Sequence, residues 1–460
     1  MELEVARKRC KDGLVWAIEQ LGGQVDLERL DQIAELIIQT MTGPWRYFHT
    51  PEHIFEVGGS VNPIEVLAAF FHDLVYVQVD QGVSLNISSY ISPFVKEVRG
   101  QLVIRESVEL PKDLMFDIVA AVFGFVPGQT LSPFAGQNEF LSAVIAAKAL
   151  SHALPPDIIA QIAACIEATI PFRPKLPSGE SSSDMLYQRM CKLNRDFNFG
   201  WKPEEIAETV RRAVRLANRD VENFAYPNSA DFLDNTWNLM PETNHELSNA
   251  NSYTVRGYRK SLQKMEGFMN FLRPELVFQQ FMGEPDEATY QQLVSRTAKN
   301  LAVAKLYLGS KLVAIAIVEA LSYRLGRDLP LSTMMGELPN SGVQIESLEN
   351  FLPDIPLNYP PATALESEVL ELLNKGRSRE SSYDLKNSPV STFIIKWIGF
   401  DGVRNLLPPA KDFFAGKISD REFLSKCNPK MVAAIAEGVM QVFESRKLAL
   451  REFSLPAKVG

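Results

Sequence analysis

Residues 204–225 read EEIAETVRRAVRLANRDVENFA, and their apolar positions repeat every three or four residues. The same spacing runs through residues 25–41, VDLERLDQIAELIIQTM, and residues 290–321, YQQLVSRTAKNLAVAKLYLGSKLVAIAIVEAL. This period belongs to helices with a buried face, whereas strands alternate every two residues. Alternation is scarce, and residues 96–110, KEVRGQLVIRESVEL, predict one short strand with no obvious partner. We therefore predict an all-α protein.

The length of the chain predicts more than one folded unit. It has 460 residues, and domains usually hold ~100–200. Residues 324–392 are dense in proline, glycine and serine, as is typical of connecting loops. We predict an N-terminal helical domain over residues 1–275 and a C-terminal helical region over 276–460 that contains this connector.

Composition excludes several classes of protein. Hydrophobic residues at 46% and charged residues at 22% exclude a disordered or coiled-coil chain. The net charge of −9 argues against a nucleic-acid or anionic-membrane binding role. The 4 cysteines form no CxxC pair, which fits a reducing compartment. Since we find no signal-peptide core and no run of ~18 apolar residues, we expect a cytoplasmic protein.

Three of the 5 histidines, His49, His53 and His72, lie close together in sequence. Thr50 and Pro51 read as the N-cap and first residue of a helix, so His53 falls in its first turn and His49 in the entering loop. Histidine is both a common metal ligand and the usual general acid near neutral pH.

A second helix is predicted from Asn62 and Pro63, with Glu65 placed as in a capping box. Its sequence, PIEVLAAFFHDLVY (residues 63–76), is apolar almost all round, which predicts burial. A buried Asp73 needs a cation or hydrogen-bond donors, and a metal ion also bound by histidine meets that need.

The helix of residues 204–225 supplies a second carboxylate. Ile206, Val210, Ala213 and Ala217 form an apolar stripe that Asp220 continues. We predict that His53, His72, Asp73 and Asp220 bind a divalent metal ion. Considered singly, each inward aspartate is better explained as a helix cap or an ion-paired residue. Asp196 competes with Asp220 as the distal ligand, while His152 suits a core or cap role and His245 an exposed loop.

The order His53, His72-Asp73, Asp220 resembles the H…HD…D signature of HD-superfamily metal-dependent phosphohydrolases. HIFEV (residues 53–57) is similar to their HxxxV segment, and HTPEH (residues 49–53) resembles the HNxxH element of cyclic-nucleotide phosphodiesterases and of predicted HD phosphohydrolases. The resemblance covers roughly residues 40–240 and implies an HD-domain-like helical bundle. Thr50 replaces the asparagine, and only His152 lies where two-metal members add two histidines.

The resemblance implies hydrolysis of a phosphoester, such as a nucleotide, with His49 as proton donor to the leaving group. The ion implied is Mn, Mg, Zn, Fe or Co, all compatible with mixed histidine and carboxylate ligands. Arg215 and Arg219, on the helix of Asp220, are candidates for contacting the substrate phosphate. A solvated, salt-bridged helix face is the alternative for these arginines.

Two other functions remain open. An HD scaffold without turnover would serve as a sensor of metal or nucleotide. A helical interaction protein would use its histidines structurally, and the C-terminal region could bind a protein partner or self-associate.

Overall fold

Helices account for most of the chain in a computed structural model, which confirms the all-α prediction. The structure describes residues 1–248, 252–326, 328–336, 346–442, 450 and 453. Two compact units are formed, one from Met1–Ala225 and Arg273–Thr297 and the other from Tyr226–Leu272 and Ala298–Gly460. This division differs from a single boundary at residue 275, because the chain leaves the first unit, returns and leaves again.

The first unit contains the predicted ligands. Its helices are α1 (Leu3–Gln20), α2 (Leu27–Met41), α3 (Pro51–Gly58), α4 (Pro63–His72), α5 (Val77–Asp80), α6 (Leu85–Ile91), α7 (Leu114–Phe123), α8 (Gln137–Leu150), α9 (Pro156–Ala168), α10 (Ser182–Phe197) and α11 (Pro203–Asp220). Short 3₁₀ turns occur at Pro133–Ala135, Glu222–Ala225 and Pro274–Leu276. Every residue of α4 from Ile64 to His72 is buried, as expected of a helix that is apolar almost all round.

Local sequence signals place the helix starts. Pro51 and Pro63 occupy the first positions of α3 and α4, as predicted. The Asn62 side chain accepts hydrogen bonds from the amides of Ile64 and Glu65. The reciprocal half of the predicted capping box is replaced, because the Glu65 carboxylate binds arginines of α11 instead.

The segment predicted as one strand forms two short strands that pair with each other in a hairpin. Residues Val95–Val98 (β1) and Gln101–Ile104 (β2) pair antiparallel, with Val95 opposite Ile104. The hairpin turns at Arg99 and Gly100, whose φ angles are 53° and 79°. Two residues with positive φ make the tight turn that suits the twist of a hairpin.

The second unit is built from the remaining helices. They are α12 (Ser229–Thr243), α13 (Val255–Phe271), the later part of α14 (Glu287–Ser322), α15 (Leu331–Met335), α16 (Ala364–Lys375), α17 (Pro389–Phe414), α18 (Asp420–Lys426) and α19 (Pro429–Val442), with 3₁₀ turns at His245–Ser248 and Leu348–Phe351. The predicted connector, 324–392, contains α15 and α16 and supplies buried side chains, among them Arg377 and Tyr383. Residues 327 and 337–345 of that connector lie outside the described residues.

Helix α14 is long and apolar enough to cross a membrane by length and composition alone. Its most apolar window is, however, 83% buried within the protein. That burial is what a core helix of a folded domain shows.

Candidate metal centre

The ends of three helices bring the four predicted ligands together. His53 lies in the first turn of α3, His72 ends α4, Asp73 follows it as the C-cap, and Asp220 ends α11. Their ligand atoms all lie within 4.8 Å of one another. Within the described part of the chain, this is the one group of three or more such side chains that could hold a metal ion.

Small residues let α3 and α4 approach closely enough to form the site. A Cβ atom added at Gly58 would lie only 3.3 Å from the Cβ of Ala69 and 3.5 Å from the Cα of Val66. A larger residue at position 58 would therefore push α3 away from α4. Such a displacement would separate His53 from His72.

The separations between ligand atoms match those around a single ion. His72 Nε2 lies 2.9 Å from Asp73 Oδ2 and 3.2 Å from Asp220 Oδ1. His53 Nε2 lies 3.3 Å from Asp73 Oδ2 and 3.0 Å from Asp220 Oδ1. Nitrogen and oxygen atoms that each lie about 2.1 Å from a shared ion stand roughly 3.0–3.4 Å apart. These four nitrogen–oxygen separations are compatible with one divalent ion bound among the side chains.

The hydrogen bonds of His72 orient its ring toward this point. Its Nδ1 donates to the Ala69 carbonyl over 2.8 Å. In the neutral imidazole this leaves the Nε2 lone pair facing the two carboxylates, the arrangement that metal-binding histidines use. Asp73 Oδ2 is buried and has no hydrogen-bond partner, although imidazole nitrogens lie close to it. A cation bound among these atoms would satisfy that oxygen.

A buried arginine holds the backbone next to the ligands. The guanidinium of Arg46 donates to the carbonyl of Asp73 over 2.6 Å and to that of Leu74 over 3.3 Å. Its charge is balanced by Asp80, at 2.6 Å. Because the Arg46 side chain is fully buried, these bonds fix the turn that follows α4 and hence the position of Asp73.

The ligands shift one another's proton affinity. Burial by itself would lower the pKa of His53, but the carboxylates of Asp220 and Asp73 outweigh it and raise that pKa to about 9. The same two carboxylates also outweigh the effect of burial on His72 and raise its pKa well above its ordinary value. Burial would raise the pKa of Asp220, yet the two histidines lower it to about 2, and the pKa of Asp73 is lowered for the same reason. In the metal-free site the two carboxylates are therefore ionised and keep the imidazoles protonated, and a metal ion would have to displace those protons.

His49 stands at the rim of the group instead of within it. Its Nε2 lies 3.9 Å from Asp73 Oδ2, beyond hydrogen-bond distance. Its ring packs edge-on against Tyr76, with centroids 4.7 Å apart. The structure thus separates the adjacent motif histidines, placing His53 among the ligand atoms and His49 beside them.

Arg215 and Arg219 are bound to carboxylates. Arg219 donates to Glu65 over 2.6 Å and to the Val57 carbonyl over 2.7 Å. Arg215 contacts Glu65, Glu208 and Glu284. The predicted phosphate contact finds no support in this geometry, because the buried Glu65 requires both cations as partners. Arg219 instead ties α11 to α3 and α4 and positions the neighbouring Asp220.

The other candidates lie outside the group. Asp196 is half-exposed and pairs with Lys192 one helical turn earlier, so Asp220 is the distal member of the cluster. His152 follows α8, and burial lowers its pKa. His245 begins a 3₁₀ turn in the second unit and is half-buried, in contrast to the exposed loop that we predicted.

Sequence reasoning missed one carboxyl group, that of Glu139 in the first turn of α8. Its Oε2 is buried without a hydrogen-bond partner. Burial, together with the negative charges of Asp73 and Asp220, raises the pKa of Glu139 to about 7. Nothing in the local sequence marks this residue, because its surroundings come from helices distant in sequence.

Comparison with known proteins adds no relative to this description. No protein-family model, curated protein or solved structure matches the chain. The geometry of the site and the motif resemblance are therefore the observations that bear on function.

Proposed function

We propose that this protein is a metal-dependent phosphoester hydrolase of the HD type, with His53, His72, Asp73 and Asp220 as the metal ligands. The observation that carries the proposal is the set of ligand separations, 2.9–3.3 Å across the two histidines and two aspartates. Two carboxylates and two neutral imidazoles would balance the charge of a divalent ion. Mixed nitrogen and oxygen donors suit Mn, Fe, Co and Zn, and Mg is also compatible.

The two carboxylate side chains keep the largest exposed fractions of the cluster. The side chains of Asp73 and Asp220 keep 19% and 16% of their surface exposed, while that of His72 keeps 1%. A substrate would thus approach the carboxylate side of the cluster. His72 forms its buried floor.

The chemistry divides between the ion and the protein. A bound divalent ion would supply Lewis-acid polarisation of the phosphoester and of an attacking water. His49, at the rim of the cluster, would give a proton to the departing oxygen, which is the contribution expected of a general acid. Glu139, whose pKa is raised to about 7 by burial and by the charges of Asp73 and Asp220, would hold a proton under the influence of the two ionised aspartates.

Metal analysis combined with a substrate panel tests the proposal. Protein purified without chelator should contain close to one divalent ion per chain. It should hydrolyse a phosphoester from a panel of nucleotides, cyclic nucleotides and an aryl phosphate, with stimulation by added Mn²⁺ or Mg²⁺. The Asp73→Asn variant should lose both metal and activity, whereas Asp196→Asn should keep both.

Two results would change the assignment. Metal bound without hydrolysis of any substrate would favour the alternative role of a sensor. Folded protein that takes up no metal under any condition would reject the metal centre itself.

A further inference from the structure

A cavity of the first unit is lined in part by α11, the helix that ends at Asp220. The volume of this cavity is about 180 Å³. Ala217 and Val221, which flank Asp220 in sequence, form one wall. The loop of residues 171–184, PFRPKLPSGESSSD, covers the opposite side. Val221 follows Asp220 directly in sequence, although Asp220 itself does not line the cavity.

The cavity is held open by hydrogen bonds between its walls. The backbone amide of Gln279 donates to Asn218 of α11 over 2.8 Å, and its side chain donates to the Ala168 carbonyl over 2.6 Å. The Ser183 hydroxyl donates to the same glutamine side chain over 2.9 Å. These bonds link α9, α10 and α11 through one residue, so the space is preformed.

Two basic side chains line the cavity, and each has a charge or a hydrogen-bond donor that could bind a further group. Lys175 is exposed and forms no ion pair with any residue that the structure describes. Arg173 binds Glu167 over 2.6 Å, but its buried Nε has no hydrogen-bond partner. Arg189 also binds Glu167, so two guanidinium groups share one buried carboxylate. Arg173 and Lys175 are therefore the cationic donors of the cavity lining.

The acidic side chains of the cavity are already occupied. Asp184 accepts hydrogen bonds from the Ser181 amide over 2.8 Å and from its hydroxyl over 2.6 Å. Glu275 pairs with Arg273 over 2.6 Å. Neither carboxylate forms an ion pair with Lys175, so Lys175 and the Nε of Arg173 are the donors left for an anion, while Asp184 keeps its own negative charge.

We infer that this cavity binds an anionic group of the substrate, a phosphate or carboxylate separate from the phosphoester that is cleaved. The substrate would then be a phosphoester bearing a second negative charge, held by Lys175 and Arg173 while the scissile group reaches the metal. Identifying the anion as part of the substrate rests on the proposed function. The binding of an anion to this cavity does not depend on the proposed function.

Isothermal titration of metal-free protein with inorganic pyrophosphate, in the presence of EDTA, tests the site without any turnover. Lys175→Glu should weaken binding by about tenfold or more, because it replaces a charge-assisted contact with a repulsive one. Lys175→Arg should retain binding. Lys112→Glu, a matched charge reversal at an exposed lysine away from the cavity, should leave affinity unchanged. Circular dichroism would verify that each variant is folded.

Three results would overturn the inference. They are absence of binding to the wild-type protein, equal affinity of wild type and Lys175→Glu, and equal losses in Lys175→Glu and Lys112→Glu. A loss in His72→Ala with none in Lys175→Glu would place the anion at the metal centre and would also reject this cavity. Failure of the proposed function would appear separately, as a lack of metal binding or of hydrolysis.

Discussion

Asp73 Oδ2 lies 2.9 Å from His72 Nε2 and yet forms no hydrogen bond. The two atoms belong to adjacent residues, at the last position and the C-cap of α4. Their side chains face a common point that His53 and Asp220 also face. Two donor atoms so placed on consecutive residues are suited to bind one ion from the end of a helix.

Replacing each of the two motif histidines in turn should distinguish the metal ligand from the general acid. His53→Ala should greatly reduce metal content, because it removes a ligand. His49→Ala should keep the metal but slow phosphoester cleavage by ~10²–10⁴-fold, the usual contribution of a general acid. Metal analysis and steady-state kinetics on the same preparations measure both effects. Equal metal loss in the two variants would contradict the division of roles.

The two candidate aspartates should behave differently. Asp220→Asn should weaken metal binding, since Asp220 Oδ1 lies close to both histidines. Asp196→Asn should leave metal content unchanged and alter the free energy of unfolding by under about 1 kcal/mol, as expected for an exposed ion pair. Metal titration and urea unfolding test the pair. Full metal binding by Asp220→Asn would remove Asp220 from the ligand set.

The stability of the metal-free protein should vary with pH, partly because of His53. Its pKa in the folded state, about 9, exceeds the ordinary value of about 6.5. The stabilisation that the protonated His53 contributes is therefore complete below about pH 6.5 and is lost as the pH rises through about 9. Asp220, whose pKa is lowered to about 2, stabilises above about pH 4 and loses this effect as the pH falls toward 2.

Thermal unfolding in EDTA from pH 2 to pH 10 measures both the acidic and the alkaline part of this profile. Saturating Mn²⁺ should reduce the alkaline loss, because the ion replaces the proton on the imidazoles. His53→Gln should flatten the alkaline limb. An unchanged slope in that variant would show that another group causes it.

Glu139→Gln should stabilise the metal-free protein in alkaline solution. The raised pKa of about 7 means that folding opposes ionisation of this carboxyl, so its contribution is lost as pH rises from about 4.5 to 7. A neutral amide avoids that cost, and we expect the gain to be about 2–3 kcal/mol larger at pH 8 than at pH 5. Urea unfolding at both pH values measures the difference. A gain of equal size at both would refute the electrostatic cause.

Removing the charge of Glu65 should loosen the connection between α4 and α11. The Glu65 side chain is 5% exposed and binds both Arg215 and Arg219. Glu65→Gln should cost about 1–3 kcal/mol, allowing for the partial exposure of the arginines. Glu204→Gln provides the matched control, because that side chain is 80% exposed and its pair with Arg211 contributes little. Similar losses in the two variants would argue against the role of Glu65.

Local patterns in the amino-acid sequence were enough to predict the helices and the inward residues. The apolar period of α11 placed Asp220 on the buried stripe, and Asn62 with Pro63 marked the start of α4. These features depend on neighbours within one or two helical turns, so they can be read without knowledge of the fold. The same holds for His53 in the first turn of α3.

Only the tertiary structure decided which charged groups meet. Choosing Asp220 over Asp196 required the packing of α11, and the partners of Arg215 and Arg219 became evident only when Glu65 of α4 lay beside them. Glu139 carries no local signal because its environment comes from residues 66 and 81 positions away, Asp73 and Asp220. Electrostatic interactions act through space, so side chains distant in sequence determine which of these groups share a site.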